Sequence, residues 1–192
     1  MTLKLTIIYG SVRQERKGIR VVRFLERGFG ERGHDVTVVD PQEYRLPLLD
    51  RMYKEYPKGQ APEPLEQLAS LYRATDAFVI VTGEYNHGLP PALKNLLDHF
   101  LEEYFFRPSA IACYSAGMFG GVRAAVHLRA VLAEMGMSAI PSLFATPKIG
   151  SAYDEQGRPS DEGVNRRFAR FAAELEWYGR ALKDARARGT PY

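Results

Sequence analysis

The sequence predicts an α/β doubly wound domain on one parallel sheet of five strands. Three observations carry that prediction. Short apolar runs alternate with stretches whose apolar residues recur every three or four positions, and the alternation repeats along the 192-residue chain. One run, Ala77-Phe78-Val79-Ile80-Val81-Thr82, is apolar almost throughout, as a strand covered on both faces requires. The glycine-rich and polar-aromatic segments follow the first, third and fourth runs.

Leu3–Tyr9 reads as the first strand. From Gly18 to Arg32, Ile19, Val22, Leu25 and Phe29 form a helical stripe, and Gly33 supplies a stop. Val36–Val39 is the second strand, ended by Asp40-Pro41. Gln42–Pro64, rich in proline, tyrosine and charge, is long for a strand-to-helix link and makes a candidate functional loop. Leu65, Leu68 and Tyr72 mark the second helix. After the Ala77–Thr82 strand, Pro90-Pro91 open a helix carrying Leu93, Leu96, Leu97, Phe100 and Leu101; proline suits a helix's first turn. Ser109–Tyr114 is the fourth strand, Gly121–Met135 the fourth helix and Met137–Ile140 a short fifth strand. Past Pro147, a polar segment with the turn Asp154-Glu155-Gln156-Gly157 leads to a last helix striped by Phe168, Phe171, Leu175, Tyr178 and Leu182. Right-handed crossovers with helices on both faces make 2-1-3-4-5 the natural strand order, the flavodoxin-like arrangement. One domain is expected over residues 1–192, with no repeat or low-complexity segment.

Composition narrows the function classes. The chain is 45% hydrophobic and 26% charged, ordinary for a soluble globular protein. A net charge of +3 is too small to argue for nucleic acid. No stretch approaches a membrane span, and one cysteine, Cys113, allows no intrachain disulfide framework. A cytoplasmic setting is expected. Basic residues cluster at Arg13–Arg23 and Arg166–Arg188. Acidic Glu174, Glu176 and Asp184 interrupt the second cluster, which reads as a solvated helix face.

In doubly wound sheets the ligand sits beyond the carboxyl ends of the strands, near the switch point. Three loops should converge there. Gly10-Ser11-Val12-Arg13-Gln14-Glu15-Arg16-Lys17-Gly18 precedes a helix N-terminus, where amides and the dipole favour an anion. Ser11 adds a hydroxyl, and Arg13 and Arg16 add guanidinium forks. The loop is neither a Rossmann nor a Walker motif, and a solvated basic helix start is the plain alternative. Gly83-Glu84-Tyr85-Asn86-His87-Gly88 is a polar-aromatic turn. In Ser115-Ala116-Gly117-Met118-Phe119-Gly120-Gly121 the glycines let backbone approach a ring, or simply start a helix. Side by side, these loops suit a nucleotide with a planar ring. They do not suit a phospho-acceptor receiver domain, which needs acidic residues after strand one and an aspartate after strand three.

These segments resemble the NAD(P)H-dependent FMN reductases of flavodoxin-like fold, a family that includes quinone, azo-dye and chromate reductases. The matching residues are Gly10-Ser11-Val12-Arg13, Leu46-Pro47-Leu48-Leu49-Asp50, Glu84-Tyr85-Asn86 with Pro90 and Leu93-Lys94-Asn95-Leu96-Leu97-Asp98, then Ser115 to Gly121 and Tyr153 to Arg158. The resemblance implies noncovalent FMN, NAD(P)H as co-substrate and a homodimer or homotetramer with flavin sites near subunit interfaces. It implies a phosphate held by Ser11 and Arg13, a ring lined by Glu84, Tyr85 and Asn86, and Ser115 and Gly117 facing it from the next loop. Gly10, Arg16, Gly18, His87, Ala116 and Gly120 complete the candidate cofactor-binding set. The chain departs from the family at Gly83, where proline is usual, at His87-Gly88, and around Arg16 to Gly18, where a second serine is common.

The expected function is hydride transfer from NAD(P)H through FMN to a small acceptor such as a quinone, flavin or azo compound, with ping-pong kinetics and no obligatory catalytic residue or metal. The rival readings are a flavodoxin-like electron carrier, which is typically acidic, and a flavin-binding redox sensor without turnover. His87 could contact the ring or an acceptor oxygen, or be an exposed loop histidine. Lys94 and Asn95 read as a solvated face or a structural hydrogen bond, and Cys113 as a small buried hydrophobe. Tyr44, Tyr53 and Tyr56 are either a lid over the flavin or part of a dimer contact.

Overall fold

In the computed structural model, which describes residues 1–192, five parallel strands form one sheet in the order β2-β1-β3-β4-β5. The strands are β1 (Lys4–Tyr9), β2 (Asp35–Val39), β3 (Ala77–Gly83), β4 (Pro108–Tyr114) and β5 (Ser138–Thr146). The helices are α1 (Ile19–Glu31), α2 (Glu63–Ala74), α3 (Pro91–Asp98), α4 (Val122–Glu134), a single turn α5 (Ile149–Ala152), and α6 (Gly163–Ala187). No helix is long and apolar enough to cross a membrane.

Side chains alternate across a strand, so each strand feeds two cores. Leu5, Ile7 and Tyr9 of β1, with Ala77, Val79 and Val81 of β3, pack under α1 and α6. Ile8, Phe78 and Ile80 point the other way, under α2, α3 and α4. Both layers are rich in aromatic rings. Phe24, Phe144 and Phe168 interlock in the first, and Tyr72, Phe78, Phe100 and Tyr104 in the second. Strand β1 is flanked by β2 and β3, so the chain reverses its direction of growth there and leaves a crevice at the carboxyl edge.

The fifth strand extends well beyond Met137–Ile140, through Pro141 to Thr146. Proline reads as a strand breaker, but β5 lies at the sheet edge, where a missing ladder donor is tolerated. The register against β4 shifts between Ser109 and Ile111 to absorb it. Arg129 of α4 donates to the Ile140 and Pro141 carbonyls at 2.9 and 2.7 Å, so the irregularity leaves both acceptors satisfied. The extension carries Thr146 and Ile149 to the crevice.

The basic clusters are structural over much of their length. Along α1, Arg20, Arg23 and Arg27 donate to main-chain carbonyls of Gly150, Tyr153, Glu155, Gln156 and Gly157, fastening that segment to the helix. On α6, Lys183 and Arg186 pair with Asp76 at 2.7 and 3.5 Å. Arg166, Arg167 and Arg170 are exposed.

The segment between β2 and α2 is pinned down rather than free. Asn95 of α3 accepts from the Leu49 amide at 2.9 Å and donates to the Pro47 carbonyl at 2.8 Å, the structural role among its two readings. The Tyr53 amide donates to His99, its ring packs on Phe100 and its hydroxyl donates to Glu66. Tyr44, Tyr53 and Tyr56 thus extend the core on the α2–α4 side.

Candidate active site

A cavity of about 320 Å³ opens at the carboxyl ends of β1, β3 and β4. It is lined by Ser11, Arg13, Glu15, Arg16 and Lys17 of the first loop, by Gly83, Glu84 and Tyr85 of the second, and by Tyr114, Ser115, Ala116 and Ile149. Three loops separated by long sequence intervals meet there, as parallel topology requires. Of the residues expected from sequence, Gly10, Gly18, Asn86, His87, Gly117 and Gly120 lie off the wall. Glu15, Lys17, Gly83, Tyr114 and Ile149 join it instead.

The loop after β1 forms the cradle itself. The first α1 amides do not face a ligand, because Ile19, Arg20 and Val21 donate back to the carbonyls of Arg16, Lys17 and Gly18. The amides of Val12, Gln14, Glu15 and Arg16 donate to no carbonyl and are the open donors. Ser11 is buried, and its hydroxyl accepts from the Arg13 amide at 3.4 Å and lies 3.5 Å from the Tyr85 hydroxyl. Arg16 is committed elsewhere: its guanidinium lies 2.5 Å from Asp40 and also reaches the Ser11 carbonyl. Arg13 stands 5.9 Å above the Tyr85 ring, exposed.

Two expected glycines act from behind. A Cβ on Gly10 would lie 2.7 Å from the Leu93 Cβ, so the loop can only leave β1 against α3 without one. A Cβ on Gly18 would meet the Tyr114 ring at 2.1 Å, and one on Gly83 would meet it at 3.2 Å. Tyr114 therefore fills a slot between the first and second loops. Its hydroxyl donates toward Tyr9, whose own hydroxyl donates to the Arg16 carbonyl at 3.3 Å. Burial raises both phenols above their ordinary range, so they stay neutral at neutral pH and act as hydrogen-bonding groups. Glycine in place of the family's usual proline at 83 suits this slot.

The second loop turns back tightly. Asn86 and His87 both take left-handed backbone, φ 49° and 67°, and Tyr85 and Gly88 exchange both amide–carbonyl bonds around them. Asparagine and histidine are among the non-glycine residues that adopt that conformation most readily. Both residues are exposed at the tip. Glu84 lines the cavity, and its carboxylate is engaged: it accepts from the amides of Arg123 and Ala124 at 3.0 and 3.3 Å and pairs with the Arg123 guanidinium at 3.7 Å. It caps α4, whose own N-cap, Gly121, offers no side chain.

The third loop is shaped by glycine. Gly120 and Gly121 have φ of 64° and 85°, and a Cβ on Gly121 would lie 2.7 Å from the Tyr114 carbonyl oxygen. The Gly117 carbonyl accepts from the Ser115 hydroxyl and from the Lys148 amide. Cys113 lies just behind, buried; burial and the nearby Glu84 charge push its thiol up to about 12.

Fold and site together define a class, a flavodoxin-like α/β domain in which a basic, amide-rich loop and two further loops line one cavity at the crevice of its sheet. The chain belongs to the NADPH-dependent FMN reductase family, whose model matches residues 3–150, and it is an oxidoreductase of that FMN- and NAD(P)H-using group. An NAD(P)H-dependent FMN reductase of Schizosaccharomyces pombe is 30% identical over 155 residues, 76% of this chain and 73% of that protein. A quinone reductase of Escherichia coli is 31% identical over 134 residues, 68% of this chain and 69% of that protein. In fold, the chain is similar to FerB, a flavoenzyme NAD(P)H:(acceptor) oxidoreductase from Paracoccus denitrificans. That match has a TM-score of 0.75 at 20% identity and covers 93% of this chain and 98% of the other.

Proposed function

We propose that this reductase passes a hydride from NAD(P)H through bound FMN to a small acceptor such as a quinone, flavin or azo compound, with the two substrates taking turns at one place. The observation that carries the proposal is the single cavity in which an anion cradle, Tyr85 and the Ser115-Ala116 loop share a wall. The residues fit the cofactor: open amides, the Ser11 hydroxyl and a free guanidinium suit a phosphate, and flat backbone turns suit a ring. FMN, when bound, supplies the hydride-accepting and hydride-donating chemistry.

The chain's own residues supply binding, orientation and access. Ser11 and Arg13 hold the phosphate, and Gly10 and Gly18 let the cradle form. The turn from Glu84 to His87 lies along one edge of the ring, with main-chain groups as its donors, while Ser115, Ala116 and Gly117 lie along another. Glu84 serves through its backbone, because its carboxylate is taken by α4. Relatives named azoreductase and quinone reductase support a small aromatic acceptor. Initial-velocity patterns with NADPH and a quinone should be parallel lines. If the FMN-loaded protein fails to oxidise NADPH in stopped-flow mixing, the enzyme reading gives way to a flavin-binding carrier or sensor.

A homodimer or homotetramer is part of the same proposal. Val126, Ala130 and Ala133 of α4 are exposed along one face, a spacing that makes an apolar stripe on the outside of a helix. Val126→Glu should shift the sedimentation coefficient to that of a smaller species. An unchanged monomer in both proteins would remove this part of the reading.

A further inference from the structure

Arg123 stands where helix physics does not ask for a cation. It lies in the first turn of α4, where the dipole favours anions, and that turn carries no acid of its own. The Glu84 carboxylate meets this turn with its two oxygens on different groups. Oε2 accepts from the Arg123 and Ala124 amides, which is enough to cap the helix. Oε1 faces the Arg123 guanidinium at 3.7 Å. The guanidinium is therefore not needed for the cap, and what it adds at Oε1 is charge. The third loop keeps it there. The Val122 amide donates to the Phe119 carbonyl, and the exposed Phe119 ring has its centre 4.3 Å from the guanidinium carbon. The ring face attracts the cation and covers one side of it. Glu84 lines the cavity with a side chain only 10% exposed, so water and salt screen its charge poorly. That charge is felt behind the wall too: after burial, it is the next cause that raises the Cys113 thiol.

We propose that Arg123 is a positioning residue that acts through Glu84: it neutralises the carboxylate on the cavity wall and so raises the midpoint potential of the flavin held there. The proposal rests on the flavin reading above and deepens it. A hydride carries two electrons and one proton, so its arrival adds one negative charge to the cavity. A bare carboxylate on the wall would oppose that charge and favour the oxidised cofactor. With its guanidinium partner in place, Glu84 caps α4 without that penalty. The other cations of the wall do not substitute. Arg16 is held by Asp40, and neither Arg13 nor Lys17 pairs with Glu84.

The test is the midpoint potential of the FMN-loaded, full-length protein, equilibrated against a reference dye and read by flavin absorbance. Arg123→Met should shift the balance toward oxidised flavin about fivefold, which for two electrons lowers the potential by about 20 mV. Glu84→Gln, which leaves the guanidinium uncompensated, should raise the potential. The double variant should return close to the unaltered value, and Arg123→Lys should keep it. A purely structural brace would lower the melting temperature in both single variants and move the potential in neither. An unchanged potential in Arg123→Met, or shifts of the same sign in the two single variants, would overturn the proposal. Absence of a rise in Glu84→Gln would do the same, even if Arg123→Met failed to fold. If the unaltered protein binds no FMN on titration, the flavin reading itself falls, a result distinct from any of these.

Discussion

At the residue scale, Tyr114 is the side chain on which the site's shape turns. Its ring occupies the space that Gly18 and Gly83 leave empty, so three segments fit only together. Gly18→Ala should cost about 1–3 kcal/mol through overpacking. The same change should cost far less in a Tyr114→Leu background, and chemical denaturation of the four proteins in a double-mutant cycle measures the coupling. That Ser11, Arg13 and Tyr85 line one cavity was legible in the sequence, because polar and aromatic residues beside glycine turns follow strands whose carboxyl ends share one edge of the sheet. Tyr114 was not, since its place depends on gaps in loops far away in sequence. Arg16 lies on the wall as expected, but its ion pair could not be read because Asp40 belongs to another strand's end. Cys113, with its thiol pushed up to about 12, should resist iodoacetamide at pH 8 while folded and react on unfolding; mass spectrometry reads both states.

At the element scale, α4 depends on a group it does not own. Its N-cap is a left-handed glycine, and the capping carboxylate comes from Glu84 at the end of β3. Glu84→Gln keeps the shape but removes the charge opposite Arg123 and the helix dipole. It should lower stability by about 1–2 kcal/mol, seen as a lower midpoint in urea with unchanged slope. The sequence placed Glu84 at the cavity, where it lies, but only the fold shows that its carboxylate caps a helix. Strands β1, β3 and β4 could be read because burial on both faces demands unbroken apolar runs. Most of β5 could not, because an edge strand accepts Pro141 and polar Ser142, and its pairing partner is specified only by the folded sheet.

At the scale of the whole molecule, α6 closes the domain through charge as well as apolar packing. Glu176 accepts from Arg32 at 2.5 Å and lies 3.0 Å from His34, joining α6 to the link between α1 and β2. The Leu3 amide donates to His34 Nδ1, which leaves Nε2 as the protonated nitrogen facing Glu176. Burial alone would raise the Glu176 pKa, but the hydrogen bonds from Arg32 and His34 outweigh it, and the carboxyl falls below its ordinary 4.5. A depressed folded-state pKa contributes stability that is full above the unfolded value and is lost as pH falls through the folded one. Glu176→Gln should therefore reduce stability at neutral pH and flatten its decline below about pH 4.5, followed by thermal melts across an acid series.

The same sheet has two open margins, and neither invites another strand. On one side β2 spans only Asp35–Val39, starts on a charge and is followed by Pro41. On the other, the shifted register and Pro141 deny β5 a continuous run of donors. A chain with so many β-branched and aromatic residues would otherwise offer a template for intermolecular cross-β growth. The irregularity that hid the last strand from a sequence reading is thus also a guard against fibrils.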